Sequence, residues 1–319
     1  MTGHRLYVGT IGQGVFRSLD HGESFLRAAE GMFVECNVRA LVVDPADGRT
    51  LYLGGEEGLY SSRDGADTWQ RVFAPPDREA VWCVALSAGR IVVGTCPSRV
   101  FVSEDGGKTW SGARTEMTVE CPRIRHTRVT CLLIDPDDAD HLWAGVEIDG
   151  IHESRDAGRS FHRVGTGLTS TDIHGLAVVP SGSGRRFYAT TNRDLNASAD
   201  GLAWHGVNID KSLPWAYCRG VSVVRGAPRT LLLGNGTGPP GWEGVIGRST
   251  DGGETWAEAK MPGRANSTIW TFAMHDAEPK LIYAASVSGQ VYRSLDAGAS
   301  WERLRREFGE IRALAWAPA

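Results

Sequence analysis

Several features that would narrow the function are missing from this chain of 319 residues. No apolar run approaches the roughly 18 residues that span a bilayer. The sequence also does not open with the basic and then apolar residues of a secretory signal peptide. We therefore expect a cytoplasmic protein without a membrane partner. Acidic and basic residues nearly balance, at a formal charge of −4, and no block of like charge occurs. We therefore expect no nucleic-acid partner either.

The cysteines show no metal-binding pattern. The six cysteines include no Cys-x-x-Cys pair and no tight spacing to a histidine. Because such spacings mark structural zinc sites, we expect no metal and no cofactor. In a reducing compartment these thiols are expected to be free and mostly buried.

Glycine and tryptophan, in contrast, are abundant, with 40 and 11 residues. A chain rich in both needs many turns and many separate aromatic plugs, which favours repeated small sheets. One motif recurs seven times, at steps of 44, 41, 51, 44, 51 and 45 residues, in copies that begin at Ser18, Ser62, Ser103, Ser154, Ser198, Ser249 and Ser294. Length alone would suggest two domains, but this period predicts a single repeat array over residues 1–319.

The chemistry of the motif is that of a tight turn. The copy Ser103-Glu-Asp-Gly-Gly-Lys-Thr-Trp110 shows every position, and the copy from Ser198 to Trp204 is shortened. Serine and aspartate oxygens accept hydrogen bonds from nearby backbone N–H groups, and glycine tolerates a positive φ. The closing Trp or Phe then begins the next strand. We therefore predict that the aspartates of the motif are structural.

These residues resemble the Asp box, the Ser-x-Asp-x-Gly-x-Thr-Trp element of the bacterial neuraminidase repeat. The resemblance covers nearly the whole chain and implies a propeller in which each box lies between the third and fourth strands of a blade, away from the ligand face. It implies no single function, because sialidases, xyloglucan-degrading glycosidases, sortilin-type receptor domains and photosystem assembly factors all carry the element. True sialidase activity is not expected: the Arg-Ile-Pro element of that family is absent, and Arg123-Ile124-Arg125 lies in the wrong place without the proline.

Two further sets of short apolar, β-rich runs recur between the boxes. The first set begins at Val38, Val81, Val129, Ile173, Cys218, Ile269 and Ile311, and the second includes the runs at Leu6, Leu51, Ile91, Leu142, Phe187, Leu231 and Leu281. With the strands on either side of each box, they predict an all-β, seven-bladed β-propeller of four-stranded antiparallel blades. The chain starts in a second-set run and ends after the seventh first-set run. Residues 310–318 are therefore predicted to complete the first blade and close the ring.

Alignment of the seven first-set strands predicts a ring of side chains around the axis. One column reads Arg39, Trp82, Thr130, His174, Arg219, Trp270 and Arg312. These side chains would be costly in a core if they were unpaired. They fit either a water-filled channel with structural salt bridges to Glu310 and Asp172, or a site for an anionic, sugar-like or partly aromatic ligand, because guanidinium forks suit carboxylate or phosphate and indole faces suit rings.

Two long loops are expected at the same mouth of the channel. One runs from Trp110 to Val129 and contains Glu120, and the other runs from Gly234 to Gly244 and contains Trp242. Repeat arrays carry such insertions on one face, which is often the binding face.

The first functional interpretation is an enzyme, a glycosidase-like hydrolase or a lyase that acts on an anionic glycan or small molecule. The substrate would be held by Arg39, Arg128, Arg219, Arg312, Trp82, Trp270 and Trp242. His174 with Asp172 or Glu120 would move protons. The site is similar to that of a sialidase in having an arginine trio with a tyrosine, Tyr217, beside one of them. The second interpretation is a non-catalytic propeller that binds a ligand or a partner protein as an assembly or scaffold factor.

Overall fold

In the described part of the chain, seven small sheets form a ring and one further two-stranded sheet stands apart from it, which confirms the predicted seven-bladed β-propeller. The computed structural model describes residues 3–87, 89–122, 124–181 and 184–319, so Arg123 lies outside the described residues. Within that part of the chain, helix is confined to two short 3₁₀ turns, Pro76–Arg78 and Ile209–Lys211.

The strands follow one another blade by blade. Blade 1 contains β1 (His4–Thr10), β2 (Val15–Ser18) and β3 (Leu26–Arg27), and blade 2 contains β4 (Val38–Val43), β5 (Leu51–Gly55), β6 (Gly58–Ser62) and β7 (Gln70–Phe73). Blade 3 contains β8 (Ala80–Ser87), β9 (Arg90–Cys96), β10 (Val100–Ser103) and β11 (Ser111–Gly112), and is followed by β12 (Arg114–Thr115), β13 (Glu120–Cys121) and β14 (Arg125–His126). Blade 4 contains β15 (Val129–Ile134), β16 (Leu142–Val146), β17 (Gly150–Ser154) and β18 (Ser160–Val164).

The second half of the chain repeats this order. Blade 5 contains β19 (Ile173–Ser181), β20 (Gly184–Thr191), β21 (Leu195–Ser198) and β22 (Trp204–Gly206), and blade 6 contains β23 (Cys218–Val223), β24 (Leu231–Gly236), β25 (Gly244–Ser249) and β26 (Ala257–Glu258). Blade 7 contains β27 (Ile269–Met274), β28 (Ile282–Ser286), β29 (Val291–Ser294) and β30 (Glu302–Arg303), and the last strand is β31 (Ile311–Pro318). Strand β31 is the innermost strand of blade 1, antiparallel to β1 from the pair His4 and Pro318 to the pair Thr10 and Ile311.

Blade 4 carries one strand more than the four that the repeat predicts. Strand β12 pairs in parallel with β18, at the outer edge of the blade. Strands β13 and β14 pair with each other in a separate hairpin. The long connection between blades 3 and 4 supplies the backbone for both additions, so this insertion is folded rather than an irregular loop.

The hydrophobic core is divided among the contacts between neighbouring blades. Each cluster joins strands of two adjacent blades, and the aromatic residue that ends an Asp box often belongs to it, as with Trp69 between blades 1 and 2 and Phe161 between blades 3 and 4. Most box indoles also hydrogen-bond to their own turn, as Trp256 Nε1 does to the carbonyl of Gly253 at 3.1 Å, whereas Trp69 Nε1 donates to the carbonyl of Ala28 at 2.9 Å. The many tryptophans and glycines of the sequence are thereby explained by one repeated unit.

Each Asp box is a closed hydrogen-bonded turn between the third and fourth strands. In the third copy, Ser103 Oγ donates to Asp105 at 2.8 Å, and Asp105 accepts from the backbone N–H and the hydroxyl of Thr109 at 2.9 and 2.7 Å. The N–H of Gly107 donates to Ser103 Oγ at 2.8 Å. The hydrogen bonds to Asp105, above all that from the Thr109 hydroxyl, lower its pKa.

Acid should therefore destabilise this fold through the boxes. The Ser24 hydroxyl is the largest contributor that lowers the pKa of Asp20 to about 2, and hydrogen bonds from Thr68 and Ser62 outweigh burial in lowering the pKa of Asp64 to about 2. A carboxyl whose pKa is lower in the folded state stabilises the fold above its unfolded pKa of about 3.9, and this stability is lost as pH falls through the folded value.

We expect the melting temperature to fall steeply between about pH 4 and about pH 2. Thermal unfolding, monitored by circular dichroism at several pH values in this range, measures the effect. The double variant Asp64→Asn/Asp105→Asn should lower the melting temperature at neutral pH and flatten the acid limb, whereas Asp210→Asn, at an exposed aspartate outside the boxes, should change neither. An acid limb of unchanged steepness in the double variant would exclude the boxes as its origin.

Candidate functional site

A cavity of about 230 Å³ lies on the axis of the ring, inside the innermost strands. Its wall contains all seven members of the predicted column, Arg39, Trp82, Thr130, His174, Arg219, Trp270 and Arg312. Cys131, Gly175, Gly220 and Thr271, from the neighbouring positions, complete this part of the wall. The small size of the neighbours leaves room for the large side chains of the column.

A β-bulge in every innermost strand positions this column. In blade 2, Val38 pairs with Gly55 and Ala40 with Gly54, so that Arg39 is the extra residue. The register shifts in the same way at the column residue of each other blade. Bulges redirect a side chain locally and recur beside functional sites. These bulges could not be predicted from the alternation of inward and outward side chains along a strand.

Each tryptophan of the cavity is contacted by two guanidinium groups. The Cζ atoms of Arg219 and Arg312 lie 3.7 and 4.1 Å from the ring centroid of Trp270. Those of Arg39 and Arg128 lie 4.4 and 4.6 Å from the ring centroid of Trp82. Arg128 is therefore held at the site through Trp82, although it is not part of the cavity wall. These cation–π contacts orient the arginines before any ligand arrives.

The four arginines differ in their counter-charges. Arg312 pairs with Glu310 and Arg128 pairs with Glu147, and burial lowers the pKa of Arg312 while Glu310 opposes that shift. Arg39 Nη2 lies 3.9 Å from Glu56, whose side chain is 53% exposed. Within the described residues, Arg219 has no carboxylate within 4 Å. The described wall of the cavity also contains no Asp or Glu, so the charged side chains of the wall are all arginines.

His174 is buried and bound on both sides. Its Nδ1 lies 2.7 Å from the carbonyl oxygen of Cys218, which can only accept, so Nδ1 carries a proton and donates. Its Nε2 lies 3.4 Å from Asp172 Oδ1. Burial and the charge of Arg219 lower the pKa of His174, and the interaction with Asp172 opposes that shift. Asp172 therefore pairs with the histidine rather than with an arginine.

Tyr217 packs beside this pair. Its ring centroid lies 5.1 Å from that of His174, and the side chain is buried. Burial raises the pKa of Tyr217, and the neighbouring Arg219 opposes the rise. The phenol is thus a neutral group beside Arg219, at the edge of the set formed by Arg39, Arg219 and Arg312, which we call the arginine ring.

The structure places two of the predicted site residues elsewhere. Glu120 is exposed on the hairpin β13–β14 and lines a different cavity, together with Glu79 and Arg99. The pairing of β12 with blade 4 and the separate hairpin determine the course of this insertion, which does not bring Glu120 to the axis. Trp242, in the loop between β24 and β25, is 74% exposed and absent from the wall of the axial cavity.

Glu147 is one of eight acidic residues that the sequence offers as a general acid or base at this mouth without choosing among them; the others are Glu35, Glu56, Glu57, Glu120, Asp149, Asp172 and Glu243. Glu147 follows β16, pairs with Arg128, and has a side chain only 16% exposed. Burial raises the pKa of Glu147 and Asp172 adds to the rise, although Arg128 opposes it. The pKa of Asp172 is lowered, because its interactions with His174 outweigh burial. The sequence contains one signal for Glu147: Glu56 directly follows β5 at the equivalent position of blade 2, so two blades carry a glutamate at the same point of the repeat.

Two further observations concern metals and membranes. Across residues 3–87, 89–122, 124–181 and 184–319, no group of three or more His, Cys, Asp and Glu side chains is arranged to hold a metal ion. In the same part of the chain, no helix has the length and apolar character that a membrane crossing requires.

Comparison with known proteins places the fold. The family model of the BNR/Asp-box repeat matches residues 101–111. A curated protein of Neosartorya fischeri, "Probable oligoxyloglucan-reducing end-specific xyloglucanase", is 24% identical over 293 residues, covering 77% of this chain and 33% of the relative. The chain thus spans about a third of that relative's length.

Solved structures show the same architecture at low identity. An ancestral GH74 enzyme superimposes with a TM-score of 0.59 at 16% identity, covering 97% of this chain and 54% of that chain. YCF48 bound to D1 peptide gives a TM-score of 0.56 at 17% identity, covering 84% of this chain and 82% of that chain. The chain is a seven-bladed β-propeller, and the match to the BNR/Asp-box repeat falls on the third of its seven box turns.

Proposed function

We propose that the chain binds an anionic, sugar-like or aromatic small molecule in the axial cavity and acts on it as a hydrolase or a lyase. The observation that carries the proposal is the presence of three guanidinium groups, from Arg39, Arg219 and Arg312, in the wall of the axial cavity. Among the described residues, that wall contains no carboxylate. Arg219 is half-buried and has no carboxylate within 4 Å among the described residues, so an anionic ligand would give it a charge-assisted hydrogen-bond partner. True sialidase activity is not part of the proposal.

Binding would begin at Arg219. Its guanidinium has no carboxylate partner within the described residues, and the contact with Trp270 holds it in place. A carboxylate or phosphate can accept two parallel hydrogen bonds from one guanidinium, which fixes its orientation. Arg39 and Arg312 lie in the same wall and add positive potential.

The chemistry would come from Glu147 and Asp172, whose pKa shifts have opposite signs. Opposed shifts in neighbouring carboxyls are the pattern of a general acid and a general base. Glu147 would give its proton to the leaving oxygen of the substrate. Asp172, positioned by His174, would itself take a proton from water in a hydrolase or from a substrate carbon in a lyase.

The pH profile of the reaction should follow these assignments. A base works deprotonated, so the lowered pKa of Asp172 extends activity to low pH; an acid works protonated, so activity falls as pH rises through the raised pKa of Glu147. We expect Glu147→Gln to lower kcat by about a hundredfold or more and to remove the alkaline limb, with ligand affinity retained. Turnover measured against pH for this variant and Asp172→Asn checks both roles, and Glu243→Gln is the control. A Glu147→Gln variant with an unchanged alkaline limb would exclude Glu147 as the acid.

Calorimetry tests the binding step with benzoate, glucuronate and inorganic phosphate as probes. The proposal requires saturable binding of at least one of these anions, weakened by added salt. Turnover is then sought on nitrophenyl esters and glycosides of the bound class, in water enriched in oxygen-18. Solvent oxygen in the product identifies a hydrolase, whereas an unsaturated product without it identifies a lyase.

A non-catalytic role in peptide or protein binding is the second candidate. It is favoured by the structural likeness to YCF48, which was solved bound to D1 peptide. A peptide would offer its terminal carboxylate to the same arginines. Short peptides that bind with a free C-terminus but not with an amidated one, in a protein without turnover on any probe, would support this role over catalysis.

A further inference from the structure

A cavity of about 510 Å³ lies between blades 2 and 3, on the face of the propeller that carries the Asp boxes. Its wall is formed by the turn between β4 and β5, the turn between β8 and β9, and the third box, to which Gly106 belongs. This volume is in the range of sites that hold a small molecule or a side chain of a partner. The charged residues of the wall are Asp44, Asp47, Arg63 and Arg90.

The turn that begins at Asp44 occurs a second time in the chain, in blade 4. Asp44-Pro45 and Asp135-Pro136 each follow an innermost strand, and the two segments align without a gap as far as β5 and β16. Asp44 Oδ1 accepts a hydrogen bond at 2.9 Å from the backbone N–H two residues further on, and Asp135 Oδ1 does the same at 2.9 Å. The two turns therefore have the same structure.

In blade 4, an arginine from the next blade neutralises this turn. Arg185, in β20 of blade 5, donates one hydrogen bond to Asp135 and a second, at 2.5 Å, to Asp137. Such charge-assisted bonds from one guanidinium to two carboxylates are among the strong interactions of a protein. The negative charge of the turn is thus paired within the chain.

A glycine stands at the equivalent position of blade 3. Ile91 is equivalent to Phe187, because each pairs with the same position of its innermost strand. Arg185, two residues before Phe187, therefore corresponds to Gly89, which lines the cavity. A Cβ at Gly89 would meet no atom within 4 Å. The space that a long side chain would enter from this position is open.

The cavity contains polar groups that no part of the described chain satisfies. Asp44 has no arginine or lysine nitrogen within 4 Å in those residues, and its second oxygen accepts no hydrogen bond. Tyr52 is only 5% exposed, yet its hydroxyl also forms no hydrogen bond there. Burial and then the charge of Asp44 raise the pKa of Tyr52, while Arg63 opposes the rise, so the hydroxyl lies close to both. A buried polar group without a partner at a cavity indicates a missing ligand.

Neither arginine of the wall takes the role that Arg185 has in blade 4. Arg90 is held by blade 4, where its Nη1 donates to the carbonyl of Ala139 at 2.6 Å and its Nη2 to Asp140 at 2.9 Å. Arg63 is exposed in the second box and forms no ion pair with any described residue. The place of the guanidinium is therefore vacant between blades 2 and 3.

We propose that this cavity receives a guanidinium group from outside the chain, as the arginine side chain of a partner polypeptide. Its N–H groups would donate to Asp44 and to the hydroxyl of Tyr52, and Asp47 would add negative charge, although Ala46 stands where blade 4 has its second carboxylate. A guanidinium offers five donors in a rigid fork, whereas an ammonium is a compact point charge. A polypeptide is favoured because the group that fills the equivalent place, Arg185, is itself a side chain anchored in a neighbouring strand. The site is independent of the axial cavity and of the function proposed for it.

NMR titration of the nitrogen-15-labelled full chain tests the site with Nα-acetylarginine amide, a probe whose two ends are uncharged. We expect saturable shifts of the backbone amides of Thr50, Tyr52 and Gly89, weakened by added salt. Nα-acetylcitrulline amide has nearly the same shape without the charge and should produce none. Saturable shifts confined to the arginine ring, or equal shifts with both probes, would overturn the proposal.

The variant Asp44→Asn tests the carboxylate. It keeps the oxygen that accepts from the N–H of Ala46, so the turn should still form. We expect the affinity for the arginine probe to fall about tenfold or more, the effect of removing the charge from a charge-assisted hydrogen bond. Asp210→Asn, at an exposed aspartate, is the matched control and should bind as the unaltered chain does. An unchanged affinity in Asp44→Asn would exclude Asp44 as the partner of the guanidinium.

The equivalence of the two turns is tested from the other side by Arg185→Ala. This variant vacates the place beside Asp135 and Asp137, so methylguanidinium should raise its melting temperature more than that of the unaltered chain. An equal rise in the two proteins would show that such a turn does not take up a free guanidinium, and the comparison between the blades would fail.

Two further measurements identify the source of the guanidinium. A peptide with a central arginine should bind more tightly than the capped probe and lose this gain when citrulline replaces the arginine. Free arginine that binds about tenfold more tightly than the capped probe would indicate a small molecule and overturn the polypeptide. Binding that appears only after Arg63→Ala would show that Arg63 fills the cavity itself, and would overturn the partner altogether.

Discussion

Replacement of Arg219 by alanine is expected to abolish anion binding in the axial cavity while the melting temperature stays within a few degrees of that of the unaltered protein. The two effects separate because of the contacts of this side chain. Within the described residues, Arg219 is bound to no carboxylate, so its removal leaves no unpaired counter-charge. Its contact with Trp270 is shared with Arg312, which remains.

The expected loss of affinity is about a hundredfold or more, the effect of removing one partner from a desolvated charge-assisted hydrogen bond. Titration calorimetry with benzoate measures the affinity, and differential scanning calorimetry measures the melting temperature. Arg219→Lys keeps the charge but loses the fork, so it should retain only part of the affinity. Arg305→Ala, at an exposed arginine, should bind as the unaltered protein does.

Arg312→Ala provides an informative contrast with Arg219→Ala. It leaves Glu310 without its partner and so should lower both affinity and stability. If Arg219→Ala behaves in that way, or if it loses much stability with unchanged binding, Arg219 is a structural residue and the anion site is misplaced.

The sequence predicted the fold well because the fold is encoded locally. Each Asp box needs only a few neighbouring residues to form its turn, and seven boxes at one period determine the number of blades. The ring of seven column residues was predictable for the same reason, since equivalent positions of equivalent strands must meet at the axis. Neither step required knowledge of a long-range contact.

The parts of the site that the sequence did not predict depend on long-range contacts. The course of the segment that carries Glu120 is determined by the pairing of β12 with β18, a parallel contact between segments more than forty residues apart. Glu147 becomes notable only through burial beside Arg128 and Asp172.

Deletion of residues 311–319 is expected to prevent the chain from holding a stable fold at room temperature. Strand β31 is the innermost strand of blade 1 and contributes buried side chains to two hydrophobic clusters, with Trp316 on the side of blade 7 and Ala317 on the side of blade 2. Its loss exposes those clusters and leaves β1 as an unpaired edge. The loss of apolar burial alone exceeds about 5 kcal/mol, which is comparable to the whole stability of a typical domain.

Thermal and urea unfolding of the truncated chain measure this effect, with deletion of Ala319 alone as the control. Trp316→Ala should cost about 3–5 kcal/mol and so fall between the two. A synthetic peptide of residues 310–319, added in trans, should restore cooperative melting, because it offers the missing strand to the open edge of β1. A truncated chain that melts cooperatively near the temperature of the full chain would show that the ring does not depend on this strand. In that case the arginine ring, which takes Arg312 from the same strand, could be studied with one cation removed and the scaffold intact.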